Sequence, residues 1–289
     1  GCSRRELLDD YPVSGVDIKL DWNGVTDKLP EGVRVIFYPK SAEGRKIDTY
    51  LSVRGGKVKV PPGRYSVVAY NYDTETVQIR GEEAYETIEA FTGYCNGLGI
   101  AGTEKMVWGP DPLYVVQIND LHIANSEEEL LLDWKPKLVV KTYSFKIKVE
   151  GLEYVSSIVG SVEGMAGCYC LGRCCGKMND APIYFEAQGR SGEVTGRFTA
   201  FGLPEGAMSR ASLAIKFTLA FVKVDNTVQK IEVDITDVIV NSESGEGGGN
   251  DEPSKDIELP LDDDEVKVDK PENSSGGDGG IGGDVGDWG

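Results

Sequence analysis

Residues 16–22 read Val-Asp-Ile-Lys-Leu-Asp-Trp, an unbroken alternation of apolar and polar side chains. A period of two puts the apolar set on one face of an extended strand; a helix, with about 3.6 residues per turn, would scatter it. Similar segments follow at Val33–Tyr38, Tyr65–Asn71 and Thr76–Arg80, all rich in Val, Ile, Tyr and Phe. Turn residues separate most of them, at Asn23-Gly24, Pro30-Glu31-Gly32, Gly55-Gly56 and Pro61-Pro62-Gly63. The second half repeats the pattern in Leu138–Gly151, Ile183–Gln188, Gly192–Phe201, Ala211–Val224 and Thr227–Val240. Short strands at regular spacing predict an all-β sandwich rather than parallel βαβ units.

Helical signals are few. Ser126–Leu132 opens with a serine ahead of three glutamates, which suits an N-cap with acids in the first turn, and equally the start of a strand. Glu153–Val159 has room for one or two helical turns. A chain of 289 residues accommodates two domains. The polar stretch Asn125–Lys137, with Pro136, interrupts two strand-rich blocks. The expected division is a linker over 1–12, one sandwich over 13–130 and a second over 131–289. From 241 to 289 the composition shifts to Gly, Asp, Glu and Ser, so partial flexibility is expected there. Strand-like patterns persist within this tail at Ile257–Leu261 and Glu265–Val268, and the terminal Trp288 is expected to dock.

The formal charge of -18 sits mostly in this tail, where 15 acids face only Lys255, Lys267 and Lys270. Such a balance repels phosphate backbones, so nucleic acid is not an expected partner. No apolar run reaches the roughly eighteen residues that a membrane-spanning helix needs. A single histidine, His122, leaves little scope for histidine-based catalysis or metal chemistry. Asp120 stands near it and serines abound, but no nucleophile-elbow motif occurs. Gly97–Gly102 has the outline of a dinucleotide loop without the flanking strand and helix, and reads as a plain loop. No catalytic residue and no cofactor is assigned.

Cysteines are the oddest feature. Cys168, Cys170, Cys174 and Cys175 place four thiols within eight residues, with Cys95 far away. The expected reading is disulfides or structural thiols, with crossed pairs between Cys174 or Cys175 and Cys168 or Cys170. Zinc or copper(I) at these four is the alternative, against which the spacing and the lack of a nearby histidine both count. The acidic run Asp262–Glu265 and the Gly/Asp pattern Gly276–Asp284 read as solvated chain rather than calcium sites. Among the aromatics, Trp22 is expected in a core. Trp108, in a Gly/Pro-rich connection, is the candidate for stacking on a sugar ring.

Several stretches together resemble the uncharacterised surface lipoproteins of Bacteroidales related to fimbrillins and fimbrial anchors. They are Cys2-Ser3-Arg4-Arg5-Glu6-Leu7, the 16–22 strand, Pro30–Pro39, Pro62–Val68, Gly164–Gly167, Phe198–Gly202 and Val285–Trp288. The resemblance covers nearly the whole chain. It implies two transthyretin-like, Greek-key β-sandwich domains in tandem, export as a lipoprotein acylated on Cys2, and display on the outer membrane. It also implies a non-catalytic role in adhesion or assembly, with fimbrial subunits or surface ligands as partners. Fimbrial relatives join by donating a β-strand to a neighbour. Here the donor is expected in Val13–Leu20 or in Ile257–Val268. The cysteine-rich insertion after Gly167 and the acidic tail depart from the family pattern. The rival reading is a glycan-binding lipoprotein of a polysaccharide-uptake system, which needs an exposed aromatic platform.

Overall fold

The alternating segments form strands in the computed structural model, which describes residues 15–95, 105–207, 213–244, 252–263 and 265–272. The described residues form two units. One gathers those within Gly1–Phe91, Asp111–Val139 and Tyr169–Cys175, and the other those within Thr92–Pro110, Val140–Cys168 and Gly176–Gly289.

In the first unit, the strand Gly15–Leu20 is an inner strand. It pairs in parallel with Leu130–Trp134 on one side and antiparallel with Gly55–Lys59 on the other. The sheet continues through Ile47–Ser52, Gly32–Pro39, Gly63–Asn71 and Tyr114–Ile123 to Lys137–Leu138. Gly55 is needed at the tight start of its strand: its φ is +107°, and a Cβ there would lie 1.9 Å from the Ile18 carbonyl oxygen. Phe37 and Trp134 belong to strands four steps apart, about 19 Å in a flat sheet. Their rings are nevertheless 6.5 Å apart. The sheet therefore rolls over on itself, and Val16, Ile18, Val35, Phe37 and Val67 fill one core between its two halves.

The opposite face of the middle strands is covered as well, since Ile36 and Val68 are fully buried. The segment 81–91 provides cover: the Tyr38 hydroxyl donates to the Glu82 carbonyl at 2.8 Å, and the Tyr38 and Tyr85 rings meet edge-on. The turn after Tyr169 joins it, with Leu171 N donating to Ile88 O and Gln117 Nε2 donating to Gly172 O.

The second unit follows the same plan. Its sheet runs Val228–Asp234, Lys216–Lys223, Val155–Glu163, Ile183–Arg190, Glu193–Ala200, Lys141–Glu150 and Ser254–Asp256. Phe145 and Phe217, again four strands apart, have ring centroids 5.1 Å apart, so this sheet rolls over too. Phe185 and Phe198 complete an aromatic cluster with them. Gly160 makes room for it: a Cβ there would lie 2.2 Å from the Phe185 ring and 2.6 Å from Thr218 O. Gly160→Ala is thus expected to cost about 1–3 kcal/mol through overpacking. Urea unfolding reads this directly, and an unchanged midpoint would remove the assigned role of Gly160.

Two local expectations change, and the choice left open after Ser126 is decided. Thr227–Val240 is not one strand: Val228–Asp234 ends where Asp234 Oδ1 accepts from Thr236 N and Oγ1 at 2.8 and 2.5 Å, and a helix spans Thr236–Ser244. Ile239 on this helix and Ile235 just before it, four apart and fully buried, turn it toward the core. The segment after Ser126 becomes the strand Leu130–Trp134, with Ser126 Oγ accepting from Glu128 N in the turn before it. Leu152–Tyr154 is a single 3-10 turn, and Val155–Glu163 is a strand.

Candidate functional site

The acidic tail supplies the most distinctive arrangement in the second unit. Two short pieces of it, Ser254–Asp256 and Glu265–Lys267, pair in parallel with the two ends of Lys141–Glu150. Thr142 N donates to Pro253 O, Ile257 N to Ser144 O and Val268 N to Glu150 O, at 2.7, 2.9 and 2.8 Å. Ile257 and Val268 insert into the aromatic core, and Leu259 and Leu261 pack beside it. Four apolar side chains thus pull an otherwise hydrophilic stretch onto the sheet.

Lys255 latches the first piece. Its side chain is 8% exposed, and its Nζ donates to Ser242 O at 2.6 Å and lies 3.4 Å from Glu243 Oε1. Ser242 and Glu243 sit in the last turn of the Thr236–Ser244 helix, where carbonyl oxygens lack partners and a cation is favoured. The Tyr143 hydroxyl donates to the same Glu243 carboxylate. Burial and that carboxylate hold the Tyr143 hydroxyl far above its ordinary value, so it stays a proton donor.

Beyond the tail lies a groove of about 960 Å³ between Glu265–Lys267 and the sheet-end strand Val228–Asp234. Among the described residues, Val228–Asp234 is laddered only to Lys216–Lys223. Ile231, Val233, Leu261 and Val266 give the groove its apolar lining. At one end Gln229 reaches across it. Its Nε2 donates to Lys267 O at 2.8 Å, and its Oε1 accepts from Asp269 N at 2.9 Å.

The residues singled out from sequence fall as follows. Cys2, Trp288 and the Gly97–Gly102 loop lie outside the described residues. Cys168 is buried and belongs to the second unit. Cys170, Cys174 and Cys175 belong to the first, where Cys174 adopts φ +53° and its thiol approaches Leu171 O at 3.8 Å. Burial and Cys174 raise the Tyr169 hydroxyl well above its usual range. No group of three or more His, Cys, Asp or Glu side chains among the described residues is arranged to hold a metal ion. Asp120 pairs with Arg64 at 2.9 Å. Trp22 donates from Nε1 to Val53 O at 2.6 Å and packs edge-on against Tyr114. Trp108 is 38% exposed, its ring edge-on to the buried Tyr184. Asp262, Asp263 and Glu265 line the groove.

Sequence reasoning missed Gln229, Glu243 and Lys255. A signal existed for Lys255, the only basic residue between Asn241 and Val266. A lone cation inside an acidic stretch that keeps apolar residues is a candidate for burial against a carboxylate.

Comparison with known proteins finds the chain similar to proteins described as fimbrial or adhesive. Residues 1–186 match the family described as a domain of unknown function, DUF5119. A Bacteroides ovatus protein named as a fimbrium anchoring subunit is 57% identical over 306 residues, covering 100% of this chain and 91% of the relative. The crystal structure of a Bacteroides ovatus protein described as an adhesin has a TM-score of 0.78 at 57% identity, covering 94% of this chain and 98% of that one. A fimbrial anchor protein of Porphyromonas gingivalis, only 12% identical, shares the fold with a TM-score of 0.53, covering 85% of this chain and 88% of that one.

Proposed function

Because the chain belongs to the fimbrial-anchor-related family of Bacteroidales that carries the DUF5119 domain, we propose that it is a non-catalytic fimbrial subunit of the anchoring or adhesive kind. It is held on the outer membrane through a lipid on Cys2 and joins its neighbours by β-strand addition. The observation that carries this reading is the 57% identity to a fimbrium anchoring subunit over the whole chain, which leaves neither unit outside the resemblance. Anchoring by lipid suits a chain with no described helix long and apolar enough to cross a membrane. One acyl chain binds only marginally, so two or more are required for a stable hold. Strand addition suits a molecule built of rolled sheets that end in strands, since a sheet edge offers backbone donors and acceptors in register.

The test is isolation from native outer membranes without boiling, with wild type beside Cys2→Ala on a denaturing gel. Wild type is expected in the membrane fraction, in a ladder of resistant multimers or with other fimbrial subunits; Cys2→Ala is expected to leave the membrane. A wild-type protein that runs as a clean monomer overturns assembly by strand addition, and a membrane-bound Cys2→Ala overturns the lipid.

A further inference from the structure

We infer that the groove between Glu265–Lys267 and Val228–Asp234 is an acceptor for an extended strand of another protein, one that alternates basic and apolar side chains. Among the described residues, the two segments expected as donors have strands already paired within the chain. Gly15–Leu20 has a neighbour on each side, and Ser254–Asp256 with Glu265–Lys267 lies along Lys141–Glu150. The incoming strand is therefore supplied by the partner.

Gln229 shows how that strand would bond. Val268 N points at Glu150 O, so by alternation Lys267 and Asp269 turn their backbone groups the other way, toward the groove. Gln229 meets the Lys267 carbonyl and the Asp269 N–H, two residues apart, with one amide. A carbonyl and an N–H two residues on is the pair of bonds that one residue of a parallel neighbour makes. The outer edge of the tail is thus ready for a parallel strand, and a single side chain now stands in for it.

The lining fixes the occupant's chemistry. Ile231, Val233, Leu261 and Val266 are only partly buried and receive apolar side chains. Asp234, Asp262, Asp263 and Glu265 line the same groove. Its one base, Lys267, lies 3.9 Å from Glu150, and Glu232 is paired with Lys216 at 3.2 Å. An acidic groove admits lysine or arginine and excludes an acidic strand.

This inference rests on the strand-addition reading for the source of the strand, and its test separates the two. The probe is a fluorescein-labelled nine-residue peptide alternating valine and lysine, titrated onto the full chain at low salt. Saturable binding is expected, with none for the valine–glutamate counterpart. Lys267→Pro removes a groove-facing N–H while leaving the ladder to Lys141–Glu150 intact, as proline does at a sheet edge. It also removes a positive charge, so electrostatics alone would tighten binding, whereas strand pairing predicts weakening of at least tenfold. Lys267→Gln, which keeps the N–H, is expected to bind the peptide as well as wild type or better. Gln229→Ala, which removes the competitor, is expected to bind severalfold tighter. Hydrogen exchange of the 265–269 amides checks that Lys267→Pro stays folded and, in wild type, that the peptide slows these amides. Binding by Lys267→Pro equal to wild type overturns the groove as a strand acceptor, as does absence of saturable binding to wild type. Native multimers that survive Lys267→Pro also overturn it and leave assembly standing. Peptide binding at the groove without native multimers removes assembly and keeps the groove.

Discussion

Lys255→Ala is expected to free residues 252–268 from the edge of the second sheet while the rest of that unit stays folded. The tail is finely balanced. Ordering each of its residues costs about 1–2 kcal/mol of conformational entropy. Against this stand a few backbone bonds, each worth about 1 kcal/mol net, and the burial of Ile257 and Val268 at about 1.5–3 kcal/mol apiece. Lys255 adds a pair whose partners are 8% and 16% exposed. Removing one member of such a pair costs about 3–5 kcal/mol, because the other charge stays behind in a poor solvent. Here Glu243 and the Ser242 carbonyl would both lose their cation. Hydrogen exchange should therefore show the 254–257 amides and the tail-facing Thr142 amide at or near free-chain rates in Lys255→Ala. The alternate amides of Tyr143, Phe145, Ile147 and Val149, which face the Glu193–Ala200 side, should retain protection. Pairing Lys255→Met with Glu243→Leu should restore part of the protection, since an apolar pair of similar volume leaves no orphaned charge but takes the acceptor from the Tyr143 hydroxyl. Wild-type protection in the single variant would show that Ile257 and Val268 alone hold the tail.

Why that latch escaped sequence reasoning follows from what alternation encodes. A period of two reports which face of a strand is buried, and so Gly15–Leu20 and Lys141–Glu150 were legible from residue order, whereas Gly32–Pro39, buried on both faces, was legible from its continuous run of Val, Ile, Phe and Tyr. It does not report which strand lies beside which. Nothing local in Phe145 or Phe217 says that their sheet rolls until the two rings touch. The helix Thr236–Ser244 was hidden for a different reason: Val238, Ile239 and Val240 continue the β-branched run of the preceding strand, and the stop depends on the Asp234 carboxylate capturing Thr236. The groove was out of reach altogether. Its bridging contact joins Gln229 to Lys267, 38 residues on, and a glutamine beside a lysine carries no mark of that pairing. The acids along the groove were visible as a run, but only the rolled sheet sets them opposite a strand that, among the described residues, is laddered on one side alone.

Arg34→Ala is expected to destabilise the first unit by about 2–4 kcal/mol and to flatten its response to acid. Arg34 stands in a row across three strands, with Tyr50 and Tyr70 as its cross-strand neighbours and its guanidinium carbon 6.0 Å from both rings. It donates to both Asp48 oxygens at 2.9 and 2.5 Å, to Glu82 at 2.5 Å and to the Tyr70 hydroxyl at 2.7 Å. Only 14% of its side chain is exposed, so most of the interaction is shielded from water. Asp48 and Glu82 are 30% and 41% exposed, which keeps the loss below that of a fully buried pair. Arg34→Lys should recover only part of it, since an ammonium cannot fork to Asp48 while also reaching Glu82. The guanidinium holds the Asp48 carboxyl below its ordinary 3.8. A carboxyl whose folded value is depressed contributes stability that is fully present above its unfolded value and lost as pH falls through the lowered one. Wild type should therefore lose stability steeply below pH 3.8, whereas Arg34→Ala, already lacking that contribution, should lose less over the same window. Urea midpoints for the two proteins at pH 7 and pH 3 decide the matter. Parallel shifts would mean that Asp48 gains nothing from Arg34 and that the row is held by Tyr50 and Tyr70 alone.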